Sequence, residues 1–240
     1  MFKGKKIVCI IPARSGSKAI KDKNLSKLLG YPLIYFSIKQ AMSSKYIDKI
    51  IFSSDSITYI KIARKIGLKI NNLRPKKYAT DYSKDIDLFH YELFKLYKEN
   101  YKPDIYVNLR PTSPLRTHKE IDLCIRKLIN SKADSIRSVT KNDFIIQKTW
   151  FLRNKYLINT TCKDSKKEEW NLPRQKLEES YMQNGNIDIG RVRNIFDLKS
   201  MTGKKIIPYV QNFFCDIDTK NDLIEARKIA KKLKILNQYL

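Results

Sequence analysis

Histidine, paired cysteine and long apolar runs are scarce in this sequence, and each scarcity excludes a class of protein. Only two histidines are present, and the four cysteines lie far apart without a C-x-x-C pair, so no zinc-binding pattern forms. No apolar run approaches the roughly 20 residues of a membrane-spanning helix. The apolar run at residues 7–11 is too short for a signal-peptide core. We therefore expect a cytoplasmic protein whose cysteines are buried thiols, namely Cys9, Cys124, Cys162 and Cys215.

Acidic residues are also few: 24 Asp and Glu stand against 49 Lys and Arg, a formal net charge of +25. Such a charge attracts nucleic acid, anionic membrane surfaces or nucleotides. The lysines are spread along the whole chain, as codon usage in an AT-rich genome would also produce, so the charge alone selects no partner. A basic nucleic-acid-binding protein stays an alternative, although the sequence contains no recognition helix, RNA-binding signature or basic stripe with interleaved aromatics.

Short apolar segments alternate with helical patterns along the chain. Strands are predicted at residues 7–11, 49–52, 105–109, 135–139, 187–189 and 205–210, and helices at 32–44, 57–66, 85–99, 119–129, 192–201 and 221–236. This alternation predicts an α/β fold with a doubly wound, mostly parallel sheet. Residues from about 144 to 180 lack a clear period and predict an inserted arm or hairpin. The length of 240 residues suits one domain.

A basic loop follows the first predicted strand, in the segment IIPARSGSKAIKDKNL at residues 10–25. Ligands of open α/β sheets bind beyond the carboxyl ends of the strands, and small residues let backbone N–H groups approach phosphate oxygens. Arg14, Lys18 and Lys23 supply the opposite charge for a triphosphate. The loop matches neither GxxxxGK[ST] nor GxGxxG. It predicts a phosphate site, with an ordinary exposed basic loop as the alternative.

An acidic segment, FCDIDTKND at residues 214–222, precedes the last predicted helix. Asp216 and Asp218 alternate in an extended chain and would point to the same face. Such carboxylate pairs suit Mg²⁺, whose remaining positions are filled by water and substrate phosphates. Thr219 is expected to cap the following helix, with Asp222 in its first turn. The alternative is that both aspartates only begin that helix.

The N-terminal pattern Ile-Pro-Ala-Arg, Gly-Ser-Lys and Lys-Asn-Leu resembles the signature of the acylneuraminate cytidylyltransferase family, with Lys21 where a proline often stands. The resemblance continues through RPKKYATD (residues 74–81), LRPTSPLR (109–116) and RQKLEESYMQNGNIDI (174–189), over nearly the whole chain. It implies a nucleotide-diphospho-sugar transferase-like fold and Mg²⁺-dependent transfer of CMP from CTP to a nonulosonic acid such as a sialic or legionaminic acid. It also implies a homodimer that forms through the arm, without nucleic-acid or membrane partners.

The resemblance also implies roles for individual residues. The catalytic set is Arg14, Lys23 and Asp216, and the metal ligands are Asp216 and Asp218. CTP would be bound by Arg14, Ser17, Lys18, Lys23, Asn24 and Arg74. The sugar would be bound by Arg110, Arg174, Gln175 and Asp188, with Arg174 forming a bidentate contact to its carboxylate. Arg116 could serve the structure or the ligand, and Asn184 and Gly185 are expected to form a tight turn.

Two positions depart from the pattern of the sialic-acid enzymes. Arg110 stands where glutamine is common, and Asp188 where tyrosine is usual. Both lie in the expected sugar pocket, so they indicate a non-standard nonulosonate. A cytidylyltransferase for Kdo or another 3-deoxy sugar acid is the nearest alternative, because it would use a similar loop and a similar pair of aspartates.

Overall fold

A computed structural model describes residues 1–70, 72–161 and 168–234. Within these residues the chain forms ten strands and six α-helices. The strands are β1 (Ile7–Pro12), β2 (Lys27–Leu28), β3 (Tyr31–Pro32), β4 (Lys49–Ser53), β5 (Ile105–Asn108), β6 (Ser135–Lys141), β7 (Trp150–Arg153), β8 (Tyr156–Asn159), β9 (Tyr181–Arg191) and β10 (Ile206–Val210). The helices are α1 (Leu33–Ser43), α2 (Ile57–Ile66), α3 (Asp85–Lys98), α4 (His118–Ile129), α5 (Val192–Phe196) and α6 (Lys220–Lys232). Cys162 and the predicted end of the last helix lie outside the described residues.

The central sheet has six strands in the order β10-β6-β9-β5-β1-β4. β1 pairs in parallel with β4 and β5, β10 pairs in parallel with β6, and β9 runs antiparallel to both of its neighbours. Alternate residues of β1 pack into two hydrophobic clusters, one on each face of the sheet. Ile7, Cys9 and Ile11 pack with α1, α2 and α4, whereas Val8 and Ile10 pack with α3 and α5. Helices therefore cover both faces, which confirms the doubly wound, mostly parallel fold.

β9 differs from its prediction. It begins at Tyr181 and continues through the Asn184–Gly185 dipeptide, which was expected to form a tight turn. Between the pairs Arg137↔Asp188 and Val139↔Gln183 the register shifts, so β9 carries extra residues opposite a single residue of β6. Gly185 has a φ of +66°, which glycine adopts without the steric cost of a side chain. The dipeptide thus forms an irregularity within a long strand rather than a hairpin turn.

The region predicted as an inserted arm contains an antiparallel hairpin of β7 and β8, which forms a sheet of its own. Its large apolar side chains are exposed, among them Phe151, Leu152 and Leu157. Residues 162–167 of this region are outside the described part of the chain. Among the described residues, no helix has the length and apolarity needed to cross a bilayer.

One helix is shorter than its prediction, and another begins as expected. α5 ends at Phe196 rather than near residue 201, and Lys199 in the following segment has a φ of +47°, which is incompatible with a continuing right-handed helix. α6 begins as expected. The Thr219 hydroxyl accepts from the Asp222 backbone N–H (3.2 Å), and the Asp222 carboxylate accepts from the Thr219 N–H (2.7 Å), which together form a capping box.

Candidate active site

A cleft of about 220 Å³ opens where the parallel strands β1 and β5 end. It lies between the loop after β1, the segment that joins α2 to α3, and the loop after β5. Ligands of open α/β sheets bind at this edge of the sheet. Six of the residues assigned from the sequence line this cleft: Arg14, Ser17, Lys23, Asn24, Arg74 and Arg110.

Two polar side chains, Asp55 and Asn24, hold the loop after β1 in place. Asp55 accepts hydrogen bonds from the Ser15 backbone N–H (2.8 Å) and hydroxyl (2.7 Å). The buried Asn24 side chain donates to the Arg14 carbonyl oxygen at 3.0 Å. Asn24 thus shapes the backbone of the loop, in addition to its place in the lining of the cleft. Asp55 was not identified from the sequence, although its position directly after β4, at the same edge of the sheet, was a usable signal.

Two basic side chains of this loop, Arg14 and Lys18, share one carboxylate. Asp81 accepts from Arg14 Nη1 and Lys18 Nζ, each at 2.7 Å. The hydrogen bonds from Lys18 and Arg14 hold the pKa of Asp81 below its usual value. An anion therefore already occupies the position between these cations. Asp81 ends the RPKKYATD motif and was not among the assigned residues.

The acidic segment before α6 reaches the same loop. Lys23 Nζ donates to Asp218 Oδ1 at 2.7 Å, and the Ile217 backbone N–H donates to the Thr112 carbonyl oxygen at 2.8 Å. Ile217 is fully buried, which is the arrangement expected when the aspartates on either side point the other way. These contacts bring a predicted metal ligand against a predicted phosphate-binding lysine, although the two residues are 195 positions apart.

Among the residues that the structure describes, the carboxylate of Asp216 has an unpartnered oxygen that bears on metal binding. Its Oδ1 atom is buried and has no hydrogen-bond partner among the described residues. A buried carboxylate oxygen without a partner is costly, and a bound cation would satisfy it. No group of three or more His, Cys, Asp or Glu residues suited to a metal occurs in the described part of the chain. Mg²⁺, which needs only one or two protein carboxylates, fits this donor set.

Arg74 is almost completely buried, although it lines the cleft. Its Nε donates to the Ser53 hydroxyl at 3.2 Å, its Nη2 to the Ser53 carbonyl oxygen, and its Nη1 to the Tyr78 carbonyl oxygen at 3.4 Å. Burial lowers the pKa of Arg74, whereas the carboxylates of Asp55 and Glu92 oppose this effect. The guanidinium group is therefore held in one orientation before any ligand arrives.

The two residues that depart from the family pattern contact each other. Arg110 Nη1 donates to Asp188 Oδ2 at 2.6 Å, and Arg110 Nη2 donates to Asp85 Oδ2 at 2.7 Å. Burial disfavours the charge on Arg110, but the Asp188 and Asp85 carboxylates outweigh it and raise the pKa of Arg110 above its usual value. Asp188 is buried, with Arg137 Nε 4.0 Å from its Oδ1. The two departures therefore form a single ion pair.

Arg174 and Gln175 lie apart from the other assigned residues. They line a second cavity, of about 340 Å³, whose walls come from the end of β6, the start of the arm and the segment before β9. The structure does not bring them into the cleft that Arg14 and Arg110 line. Arg116, whose role was open, is buried and donates to the carbonyl oxygens of Arg110 (2.8 Å) and Asn186 (2.9 Å), so it supports the loop after β5.

The cysteines contribute no reactive thiol to this site within the described residues. Cys9 and Cys124 are buried in the core, and burial raises the pKa of both. Burial raises the pKa of Cys215 to about 12, with Asp216 adding to the effect. Such thiols stay protonated near neutral pH and are poor nucleophiles.

Comparison with known proteins identifies relatives along almost the whole chain. A family described as "Cytidylyltransferase" matches residues 8–238. The pseudaminic acid cytidylyltransferase of Campylobacter jejuni (strain 81-176) is 30% identical over 230 residues, covering 94% of this chain and 97% of that protein. The N-acylneuraminate cytidylyltransferase of Streptococcus agalactiae (strain NEM316) is 30% identical over 226 residues, covering 92% of this chain and 52% of that protein.

Among solved structures, CMP:2-keto-3-deoxy-manno-octonic acid synthetase complexed with CTP superposes with a TM-score of 0.69 at 15% identity. The alignment covers 95% of this chain and 99% of that one. At this level of identity the likeness concerns the fold alone, and it agrees with a nucleotide-sugar transferase-like architecture.

Proposed function

Because the chain belongs to the cytidylyltransferase family, we propose that it transfers CMP from CTP to a nonulosonic acid and releases pyrophosphate. Relatives named for pseudaminic acid and N-acylneuraminate support this class of sugar. The observation that carries the proposal is that Arg14 and Lys23 line one cleft and that Asp218 pairs with this Lys23. A triphosphate needs cations, and a phosphoryl transfer of this kind also needs acidic groups that can hold a metal.

In the proposed reaction the anomeric hydroxyl of the sugar attacks the α-phosphorus of CTP and releases its proton to solvent, while the bond from the α-phosphorus to the oxygen that bridges to the β-phosphate breaks and pyrophosphate leaves. Arg14 and Lys23 stabilise the negative charge that develops on the phosphates and on the leaving pyrophosphate. Ser17 and Lys18 extend the grip on the triphosphate, while Asn24 and Arg74 fix the nucleotide. The described site contains no histidine, so positioning and charge stabilisation account for the catalysis.

Mg²⁺ is the cofactor that we propose for this site, held by Asp216 and Asp218. The unpartnered Asp216 oxygen supports this assignment. When bound, the ion would neutralise charge on the phosphate oxygens during transfer. Asp218 also accepts from Lys23, so its carboxylate would serve both the lysine and the ion. The Asp222 carboxylate, which accepts from the Asp218 backbone N–H at 3.0 Å, holds this segment in place.

We assign recognition of the sugar to Arg110, which lines the cleft, to Asp188, which is buried behind it and pairs with it, and to Arg174 and Gln175. The last two line a separate cavity next to the arm, so their part of the assignment rests on the resemblance to the family. The exposed apolar side chains of β7 and β8 support a homodimer that forms through the arm. We further propose that the enzyme works in the cytoplasm.

Pyrophosphate release tests the proposed function. The protein is incubated with CTP and Mg²⁺ and, in turn, with pseudaminate, N-acetylneuraminate, legionaminate and Kdo. Release with a nonulosonate, lost in Asp216→Asn but kept in Glu225→Gln, supports the proposal. Glu225 is the matched control, because it is an exposed carboxylate on α6 whose partner is the surface residue Lys228. Release with Kdo alone would favour the 3-deoxy sugar alternative, and salt-sensitive DNA binding without CTP binding would favour the nucleic-acid alternative.

A further inference from the structure

Three polar side chains form a buried chain beneath the cleft. Glu92 lies on the inner face of α3, Ser53 is the last residue of β4, and Arg74 lies in the segment that follows α2. Their exposed fractions are 4%, 2% and 5%, respectively. The Ser53 hydroxyl donates to Glu92 Oε1 at 2.6 Å and accepts from Arg74 Nε at 3.2 Å. The chain therefore runs from the core side of α3 to the lining of the cleft.

The chemistry of the three groups fixes the direction of these hydrogen bonds. An ionised carboxylate only accepts, and an arginine only donates. The single hydroxyl proton of Ser53 must therefore point to Glu92, which leaves a lone pair of the oxygen for Arg74. Without the Glu92 carboxylate, the hydroxyl could turn its proton towards other acceptors, and the Arg74 contact would lose its fixed partner.

Burying the Glu92 carboxylate costs free energy that packing alone would not justify. Its neighbours on the inner face of α3 are apolar, namely Leu88, Phe89, Leu93 and Leu96. Its only ion pair among the described residues is with Lys95, at 3.4 Å. An apolar side chain of similar size would avoid the desolvation of a carboxylate at this position. The hydrogen bond from Ser53 and the ion pair with Lys95, rather than packing, account for a carboxylate at this buried position.

We propose that Glu92 is a positioning residue, which acts through the Ser53 hydroxyl to hold the Arg74 guanidinium at the nucleotide. This inference rests on the proposed function, in which Arg74 contacts CTP. Arg74 is also fixed by the carbonyl oxygens of Ser53 and Tyr78, so the hydroxyl supplies the contact that sets Nε. Loss of one hydrogen bond to a charged group corresponds to a change of roughly 10- to 100-fold in an equilibrium constant. We expect CTP binding to weaken by about tenfold, the lower end of this range, when either hydrogen bond of Ser53 is removed, because two carbonyl oxygens still hold Arg74.

The test measures the dissociation constant of CTP by calorimetry, together with KM for CTP, KM for the sugar and kcat. Glu92→Leu and Ser53→Ala each remove one link, and both should weaken CTP binding while KM for the sugar stays unchanged. Glu92→Gln keeps an oxygen that accepts from Ser53, so it should restore most of the affinity. Leu96→Ala is the control, since it truncates another buried side chain of the same helix that is outside the chain of hydrogen bonds. It should lower the unfolding temperature without changing CTP affinity.

A double-mutant cycle of Ser53→Ala and Arg74→Ala completes the test. If the hydroxyl acts through Arg74, the double variant binds CTP no more weakly than Arg74→Ala alone. Additive losses would overturn the inference, as would unchanged CTP affinity in Ser53→Ala. Because Ser53→Ala removes only one oxygen atom, it tests the link through the hydroxyl even if Glu92→Leu does not fold, and Glu92→Gln then tests Glu92 itself through the affinity that it should retain. Failure of the proposed function looks different, because the unmodified protein would then not bind CTP at all.

Discussion

The ion pair between Arg110 and Asp188 makes a quantitative prediction about stability. Asp188 is buried, and its next cation, Arg137, is 4.0 Å away. Removing one partner of a buried pair typically costs 3–5 kcal/mol, roughly, because the other charge is left without compensation. Arg110 keeps its contact with Asp85 at 2.7 Å, so the lower end of this range applies to Asp188→Asn. We expect it to lower the free energy of unfolding by about 3 kcal/mol, or the midpoint temperature by roughly 6–12 °C.

Arg110→Gln should cost a similar amount, because it leaves the buried Asp188 carboxylate without its close partner. The double variant replaces the ion pair with two neutral amides, and it should cost about as much as either single change. Asp85→Asn is the control. The Asp85 side chain is 43% exposed, and an exposed ion pair contributes at most about 1 kcal/mol. The assay is urea unfolding, compared through midpoint and slope. Additive losses in the double variant, or a loss below about 0.5 kcal/mol in Asp188→Asn, would show that the two residues do not stabilise the fold as a buried ion pair.

Three further predictions concern other parts of the molecule. Asp81→Asn should tighten CTP binding several-fold in calorimetry at neutral pH, because the Asp81 carboxylate competes with phosphates for Arg14 and Lys18. Since the pKa of Asp81 is depressed, the difference in affinity between the variant and the unmodified protein should vanish only at strongly acidic pH, where Asp81 is protonated. Gly190→Ala should destabilise the fold by roughly 1–3 kcal/mol in urea unfolding, because a Cβ there would lie 2.5 Å from the Tyr106 hydroxyl oxygen. Thr219→Ala should lower stability by about 1 kcal/mol in the same assay, since it removes the cap opposite Asp222, and an unchanged midpoint would contradict this.

Much of the fold could be predicted because its signals are local. The apolar run of β1 and the helical spacing of α2 each fit within about ten residues. The antiparallel direction of β9 has no such signal, because it depends on which strands become neighbours in space. The Asn184–Gly185 dipeptide misled the prediction for the same reason. A positive φ at glycine is equally suited to a hairpin turn and to an irregular strand, and only the partner strand decides between them.

Residues of the cleft that belong to one segment could be predicted together, as with Arg14 and Lys23 in the loop after β1. Contacts between distant segments could not be predicted in this way. The pairing of Asp81 with Arg14, and of Glu92 with Ser53, joins residues that lie 67 and 39 positions apart. Arg110 and Asp188 were noticed separately as unusual residues, and only the fold shows that each compensates for the other.

In the proposed reaction, CMP is transferred intact from CTP to a nonulosonic acid. The most direct measurement is mass spectrometry of the products formed from CTP, Mg²⁺ and pseudaminate or another nonulosonate, with pyrophosphate quantified in the same reaction. We expect a CMP-sugar and pyrophosphate in equal amounts, with neither formed by Asp216→Asn. Pyrophosphate with free CMP and unmodified sugar, or no product from any nonulosonate, would contradict it.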